Sequence, residues 1–301
     1  LLGLSYVVRR GTCVSAEGGC LGESISGWEL WTTEDAWLPV AVAMGFREDF
    51  QEHGFVLLHG AIEQPLLGEL QAAVQPLLAH YTGSGRVRRH QTVLEPDWFQ
   101  PAFLGFLNLE RTNRAAAEII GVDDPSELSA CGLALLMGHD EEGTLGWHRD
   151  FGDDHPESPA LWQRSCSFIQ TNCALFDDPS LWVVPASHDR PSTPQELANN
   201  RTPDGPKPVG EHAVALGAVP GAKNVILMAG DCLLYNPLNW HAVSYLPSRI
   251  RATFHGGWRH PTLPYELETM RWGLDQNPWF ADTSYMGSDL GCYYGGQLNN
   301  L

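Results

Sequence analysis

A chain of 301 residues is long enough for one large domain with a buried core, and 43% hydrophobic with 18% charged residues is ordinary for a globular protein. The 36 acidic residues outnumber the 18 basic ones and give a formal net charge of -18, so the overall field repels phosphate and argues against a nucleic-acid partner. No apolar run reaches the roughly 18 residues that a membrane span needs, and the cysteines lack the spacing of a zinc site or a disulfide framework.

Helices are predicted in the N-terminal part of the chain. The segment from Phe46 to His53 is amphipathic and ends at a glycine, and Phe55 to His59 follows it as a buried strand. From Pro65 to His80, leucine and valine recur at helical spacing, and the proline suits a first turn. A further helix is predicted from Asn113 to Ile120, where a glycine closes it.

From about residue 131 the chain changes to short β-like runs separated by turn residues. These runs are CGLALLMG (131–138), SCSFIQTNCALF (165–176), SLWVVP (180–185), HAVALGAV (212–219), NVILMAG (224–230), DCLLYN (231–236), HAVSYL (241–246) and RATFHGGW (251–258). Strands at this spacing predict a β-sandwich or barrel, with a helical turn at Thr193 to Asn200 inside an insertion. The stretch after Pro261 has no clear period and is predicted to be a C-terminal tail.

The sharpest local feature is the sequence Trp147-His148-Arg149-Asp150. On an extended segment alternate side chains share a face, so His148 and Asp150 point together while Arg149 points away. A metal needs at least one more ligand, which His241 supplies at the start of a β-like run. Two imidazoles and one carboxylate form the facial triad of non-haem iron(II) oxygenases, which leaves positions open for a co-substrate and O₂.

The His-x-Asp pair alone is weak evidence in a chain with 12 histidines, since a single histidine is usually a core or surface residue. A second pair of the same kind, His139 and Glu141, lies in an acidic, glycine-flanked segment that is typical of an exposed loop. It is an alternative ligand pair, and the triad is preferred because of the residues that follow His241.

Downstream of His241, Arg251 begins a strand-like run that would place its guanidinium inside a barrel. A buried arginine needs a carboxylate partner, because an unpaired buried charge is very costly. A dicarboxylate co-substrate would supply one through two parallel hydrogen bonds. A structural ion pair with Asp or Glu is the alternative. Arg249 is a rival for the anchoring role, and His255, on the same strand face as Arg251, is either a core histidine or a contact of substrate or co-substrate.

Several segments together resemble the phytanoyl-CoA dioxygenase family of 2-oxoglutarate-dependent oxygenases. The segments are EDFQEHGFVLL (48–58), WHRD (147–150), LFDD (175–178), LWVVPASH (181–188) and AGDCLLYN (229–236), followed by His241. They occur in the order of the family over about residues 45 to 258. The chain departs from the family pattern just after His241, where Ala242 and Val243 stand in place of a small residue and a serine.

This resemblance implies a mainly β protein with flanking helices and a double-stranded β-helix core, which is a jelly roll of the cupin-like kind. The whole chain, 1–301, would be one domain, with a helical part at about 30–125, the core at about 131–258 and the tail at about 261–301. Fe(II) on His148, Asp150 and His241 would be the catalytic centre. Arg251 would bind 2-oxoglutarate, and Asn172 would occupy a strand position that faces this co-substrate.

The implied reaction hydroxylates an unactivated C–H bond of a small organic molecule and converts 2-oxoglutarate and O₂ to succinate and CO₂. Desaturation or cyclisation by the same kind of enzyme is an alternative, as is a catalytically silent jelly-roll binding protein. A zinc hydrolase with the same three ligands is a further one, although it gives Arg251 no role. The sequence leaves the substrate and the oligomeric state open.

A soluble, cytoplasmic protein without a membrane span is expected. The opening segment from Leu1 to Val8 is too short for a secretory signal and has no basic region before it. Because the chain does not begin with Met, the presence of a removed targeting segment stays open.

Overall fold

The computed structural model of the chain describes residues 45–83, 89–138, 143–150, 166–199, 216–247 and 249–261. The pair of His139 and Glu141 and the C-terminal tail beyond residue 261 lie outside these ranges. Within the ranges, no helix combines the length and the apolar character needed to cross a lipid bilayer.

The helices of the described residues lie mainly in the N-terminal part. They are α1 (Phe46–His53), α2 (Leu66–Ala73), α3 (Gln75–Tyr81), α4 (Pro101–Leu107), α5 (Glu110–Ile120) and α6 (Pro194–Ala198), with a 3-10 turn at Pro125–Glu127. The predictions of α1, α5 and α6 are confirmed. Gly121 ends α5 in the left-handed conformation, with φ 88°, which a residue without Cβ adopts readily.

The prediction of one continuous helix from Pro65 to His80 is wrong in one respect. The segment is helical, but it is divided at Val74 into α2 and α3. Pro76 is the physical reason. Proline has no backbone N–H, so the hydrogen bond that a continuous helix would place between residue 76 and the carbonyl of Ala72 is absent.

The strands form two antiparallel sheets. The strands are β1 (Phe55–Leu58), β2 (Arg89–His90), β3 (Ser129–Met137), β4 (Gly143–His148), β5 (Phe168–Ala174), β6 (Asp178–Val183), β7 (Lys223–Leu227), β8 (Cys232–Tyr235), β9 (His241–Tyr245) and β10 (Ala252–Arg259). In the described part of the chain, one sheet has six strands in the order β1-β8-β5-β10-β3-β2, and the other has four in the order β4-β9-β6-β7.

The helices pack on one face of the six-stranded sheet. On this face the ring of Phe254 in β10 contacts Phe103 and Phe106 of α4, with ring centroids 5.7 and 4.7 Å apart. On the other face, side chains of both sheets form a second hydrophobic cluster, which includes Ala174, Leu233 and Tyr235 together with Leu181, Val183 and Val243. Two facing antiparallel sheets with flanking helices form a jelly-roll core, so the predicted fold class is confirmed.

One predicted strand is not found. In the run HAVALGAV, residues 216–218 are helical, whereas residues 212–215 lie outside the described ranges. Leu216 and Val219 are buried together in a cluster with Trp147 and Trp240. Two apolar residues three positions apart share a face of a helix, and this spacing explains why a helical turn buries them.

The register of β5 and β10 determines which side chains face the interior. His255 lies opposite Asn172, and Thr253 lies opposite Ala174. Directly opposed residues of an antiparallel pair point to the same side of the sheet, and Ala174 belongs to the cluster between the sheets. Asn172, Thr253 and His255 therefore line the interior.

Candidate metal centre

His148, Asp150 and His241 come together at one end of the four-stranded sheet. His148 is the last residue of β4 and lies opposite His241, the first residue of β9. Asp150 Oδ1 lies 3.7 Å from Nε2 of each histidine. The three ligand atoms all lie within 4.8 Å of one another, close enough to share one ion.

Backbone carbonyls orient both imidazoles. Nδ1 of His148 lies 2.8 Å from the Gly146 oxygen, and Nδ1 of His241 lies 2.7 Å from the Asn239 oxygen. A carbonyl oxygen only accepts, so each Nδ1 carries the hydrogen and each Nε2 keeps its lone pair. This is the arrangement in which a metal-binding histidine is held by its outer hydrogen bond.

The carboxylate of the candidate triad, Asp150, is held by an amide. Gln170 donates Nε2 to Asp150 Oδ2 at 2.5 Å, which leaves Oδ1 to face the two histidines. Burial raises the pKa of Asp150, but His241, His148, His255 and the Gln170 hydrogen bond together more than offset it, so that the pKa lies below its usual value. The carboxylate is therefore ionised at neutral pH, as a metal ligand must be.

Arg149, between two of the ligands, points away from them and is buried. Its guanidinium donates to the Leu238 oxygen at 2.8 Å, the Arg190 oxygen at 3.0 Å and Ser192 Oγ at 3.1 Å. The backbone N–H of Asp150 also donates to the Pro237 oxygen at 3.1 Å. These bonds connect the segment of His148 and Asp150 to the turn that precedes His241.

Gln170→Leu is expected to weaken iron(II) binding, because the amide that orients Asp150 is lost while the side-chain volume stays similar. Removing such an outer partner costs about tenfold to a hundredfold in metal affinity. We expect the lower end, about tenfold, because the Asp150 side chain is 30% exposed and water can replace the amide. Competition with a coloured chelator under nitrogen measures the affinity.

Gln71→Leu is the matched control for this prediction. Its amide donates to the Leu175 oxygen at 2.7 Å, on the helical side of the six-stranded sheet. The control should bind iron as tightly as the parent. Equal losses in the two variants would show that Gln170 acts through general stability and does not orient Asp150.

Arg251 lies directly before β10 and is buried in an ion pair. Its Nε donates to Asp178 Oδ2 at 2.9 Å, and Thr253 Oγ1 donates to the same oxygen at 3.0 Å. Burial raises the pKa of Asp178, but the Arg251 guanidinium and the hydrogen bonds of Ser180 more than offset it, so that the pKa lies below its usual value. The structural ion pair that the sequence left open as an alternative is thus present.

The ion pair uses only one edge of the guanidinium. Arg251 Nη2 is buried and has no hydrogen-bond partner among the residues that the structure describes. An unpaired buried donor on a charged group is costly, so this atom is suited to an anionic ligand. Arg249, the rival, lies in an exposed turn.

The strand face of β10 connects this cation to the metal centre. Residues 251, 253 and 255 alternate onto one side, and Asn172 faces them from β5. Asn172 is buried, and its Oδ1 lies 3.2 Å from His255 Nδ1. Arg251, Asn172 and His255 thus belong to the same inner face of the six-stranded sheet, which packs against the four-stranded sheet that carries His148 and His241.

Two residues of this site, Gln170 and Asp178, were not predicted from the sequence. Gln170 lies two positions before Asn172, and the alternation of a strand, applied to Asn172, would have placed it on the same face. Asp178 was quoted only as part of the segment LFDD, and its pairing with Arg251 joins parts of the chain that are far apart in sequence.

The sequence matches no family model, and no curated protein is significantly similar to it. The fold is similar to several solved structures. One is the non-heme alpha ketoglutarate dependent epimerase SnoN from nogalamycin biosynthesis, with a TM-score of 0.51, 17% identity, and coverage of 72% of this chain and 80% of that one. A second is AviO1 from Streptomyces viridochromogenes Tue57, with a TM-score of 0.50, 18% identity, and coverage of 72% and 94%.

A third is HygX from Streptomyces hygroscopicus with nickel and 2-oxoglutarate bound, with a TM-score of 0.51, 18% identity, and coverage of 71% and 86%. At these identities the similarity shows the jelly-roll fold. The more specific resemblance to the phytanoyl-CoA dioxygenase family stays a prediction.

Proposed function

We propose that this protein is a non-haem iron(II) oxygenase that uses 2-oxoglutarate as co-substrate and hydroxylates a C–H bond of a small organic molecule. The observation that carries the proposal is the cluster of His148, Asp150 and His241, with both Nε2 lone pairs and one carboxylate oxygen facing a common point. A triad of this composition on one face of an ion suits iron(II) and leaves the other coordination positions to ligands.

The choice of 2-oxoglutarate as co-substrate is supported by the inner face of β10 and β5, which carries Arg251 and Asn172. The buried Nη2 of Arg251, which lacks a partner among the described residues, is suited to donate hydrogen bonds to the distal carboxylate of 2-oxoglutarate, while Asp178 accepts from Nε and holds that edge in place. Asn172 has its Oδ1 near His255, so its amide hydrogens are available to a carboxylate. We infer that Arg251 and Asn172 bind the co-substrate.

Similar structures support the same assignment. SnoN is described as alpha ketoglutarate dependent, and HygX has been crystallised with nickel, 2-oxoglutarate and hygromycin B. The segments that resemble the phytanoyl-CoA dioxygenase family include all three proposed ligands. The substrate of this protein is accordingly expected to be a small molecule.

When bound, iron(II) and 2-oxoglutarate supply the activation of O₂, which amino-acid side chains cannot provide. The protein contributes the geometry. His148, Asp150 and His241 would hold the ion, and the apolar side chains between the sheets, such as Val183 and Val243, would exclude water. The buried Nη2 of Arg251, which has no partner among the described residues, has no role in a zinc hydrolase without an anionic co-substrate, and for this reason the oxygenase is preferred.

Protein loaded with Fe(II) is expected to convert 2-oxoglutarate to succinate in the presence of O₂, whereas protein loaded with Zn(II) is not, because zinc has no redox chemistry. Succinate and O₂ uptake are measured together. In incubations with metabolite mixtures, a product that gains an oxygen atom indicates hydroxylation, and one that loses two hydrogen atoms indicates desaturation. Hydrolysis supported by Zn(II) without 2-oxoglutarate would favour the hydrolase instead.

A further inference from the structure

One histidine of the interior face is used neither by the metal triad nor by the ion pair. His255 lies in β10 and is mostly enclosed, since the residue is of intermediate exposure. The ring centroid is 6.4 Å from that of Tyr235, which in turn lies 5.4 Å from the ring of His241. Only the ring of Tyr235 is thus needed to relate His255 to His241, and His255 lies near the proposed metal centre.

Hydrogen bonds fix the tautomer of this ring. Nδ1 lies 3.0 Å from the backbone oxygen of Thr171 and 3.2 Å from Asn172 Oδ1. Because a backbone carbonyl only accepts, Nδ1 must carry the hydrogen, and Nε2 of the neutral ring has a lone pair. Burial, followed by the nearby Arg89, lowers the pKa of His255 to about 4, which keeps the ring neutral at pH 7.

A lone pair at this position does not suit the co-substrate. At neutral pH 2-oxoglutarate carries two carboxylates and a keto oxygen, all of which accept hydrogen bonds. Nε2 would face them without a hydrogen to share, and such a contact is unfavourable away from water. Asn172 offers amide hydrogens and suits these oxygens, so the two neighbouring side chains differ in the ligand they can bind.

We propose that His255 determines substrate specificity by accepting, through Nε2, a hydrogen bond from a hydroxyl or amide N–H group of the substrate. The substrate is therefore a molecule with such a donor. This inference rests on the proposed function, because it takes the co-substrate to be 2-oxoglutarate. A hydrocarbon or an ether of the same shape leaves Nε2 unpaired and binds less tightly.

Nitrogen-15 spectra of histidine-labelled protein test the inference. The protein is loaded with 2-oxoglutarate and with Zn(II), a diamagnetic substitute for iron. His255→Gln identifies the His255 resonances by their loss. In the parent, Nε2 should resonate as an unprotonated nitrogen and Nδ1 as a protonated one. A protonated Nε2 overturns the proposal.

Matched probes test the recognition of a donor. Cyclohexanol should move the Nε2 resonance, whereas methoxycyclohexane should not. δ-Valerolactam and its N-methyl derivative form the second pair and separate amide N–H from hydroxyl donors. A shift caused by the donor member of either pair supports the proposal. Equal responses to both members of both pairs, including no response, overturn it.

Two variants test the same point by binding. His255→Gln keeps an acceptor near the position of Nε2 and should keep the preference of the parent for cyclohexanol over its methyl ether. His255→Leu should lose that preference, and a preference that survives in this variant contradicts the proposal.

The co-substrate serves as the reference ligand. A rise of more than about tenfold in the 2-oxoglutarate dissociation constant of His255→Leu would assign the ring to the co-substrate and overturn the inference. If the proposed function itself is wrong, 2-oxoglutarate does not bind to the parent protein in calorimetry. This outcome differs from that of a wrong role for His255, in which the parent still binds 2-oxoglutarate.

Discussion

Replacing His148, Asp150 or His241 with alanine is expected to abolish the formation of succinate from 2-oxoglutarate. Each variant removes one of three ligand atoms that face a common point, and the remaining two cannot hold iron(II) in the same way. Each should also bind iron more weakly in chelator competition under nitrogen. The expected loss is the largest of any variant, since both the metal and the co-substrate depend on the triad.

The controls are substitutions of the same residue types on the surface. His80→Ala and Asp97→Ala remove an imidazole and a carboxylate from exposed positions and should retain the activity of the parent. Undiminished succinate formation in any of the three triad variants would exclude that residue from the metal site. In that case His139 and Glu141 would become the next candidates.

Local periodicity explains why the candidate ligands could be selected from the sequence. His148 and Asp150 are two positions apart at the end of a strand, and alternation alone places them on one side. His241 was selected as a histidine at the start of a β-like run, and the resemblance to a known family supported this choice, but its approach to the other two residues depends on a pairing between strands distant in sequence. The structure places His241 directly opposite His148 in the register of β4 and β9.

Contacts that depend on register between distant strands could not be predicted in this way. Arg251 was selected as a buried cation that needs a carboxylate, but nothing local identifies Asp178 as its partner. The same is true of Gln170 and Asp150, which meet across the two sheets. Such pairs follow from how the strands align, and a one-residue shift would turn every side chain to the other face.

Arg251→Ala is expected to weaken the binding of 2-oxoglutarate strongly while iron binding stays nearly unchanged. A hydrogen bond to a charged group contributes roughly 1.5 to 3 kcal/mol, so the dissociation constant should rise by about tenfold to a hundredfold. Calorimetric titration under nitrogen measures it. Arg249→Ala is the control, and its exposed side chain predicts a change within about threefold.

Because Arg251 also forms an ion pair with Asp178, a second variant is needed to separate ligand binding from stability. Without Arg251, the Asp178 carboxylate is buried and unpaired, and breaking such a pair costs about 3 to 5 kcal/mol of stability. Arg251→Ala should therefore melt at a lower temperature than the parent. Arg251→Lys keeps a positive charge for Asp178 but lacks the planar two-pronged group, so it should be more stable and recover only part of the co-substrate affinity.

Pyruvate separates loss of a contact from loss of structure. It has the same 2-oxo acid group as 2-oxoglutarate but no distal carboxylate, so it cannot reach Arg251 Nη2 in the proposed arrangement. If this atom binds the distal carboxylate, Arg251→Ala and Arg251→Lys weaken 2-oxoglutarate and leave the affinity for pyruvate near that of the parent. Equal weakening of both ligands would mean that Arg251 acts only as the structural partner of Asp178, and weakening in Arg249→Ala alone would move the anchor to the turn before β10.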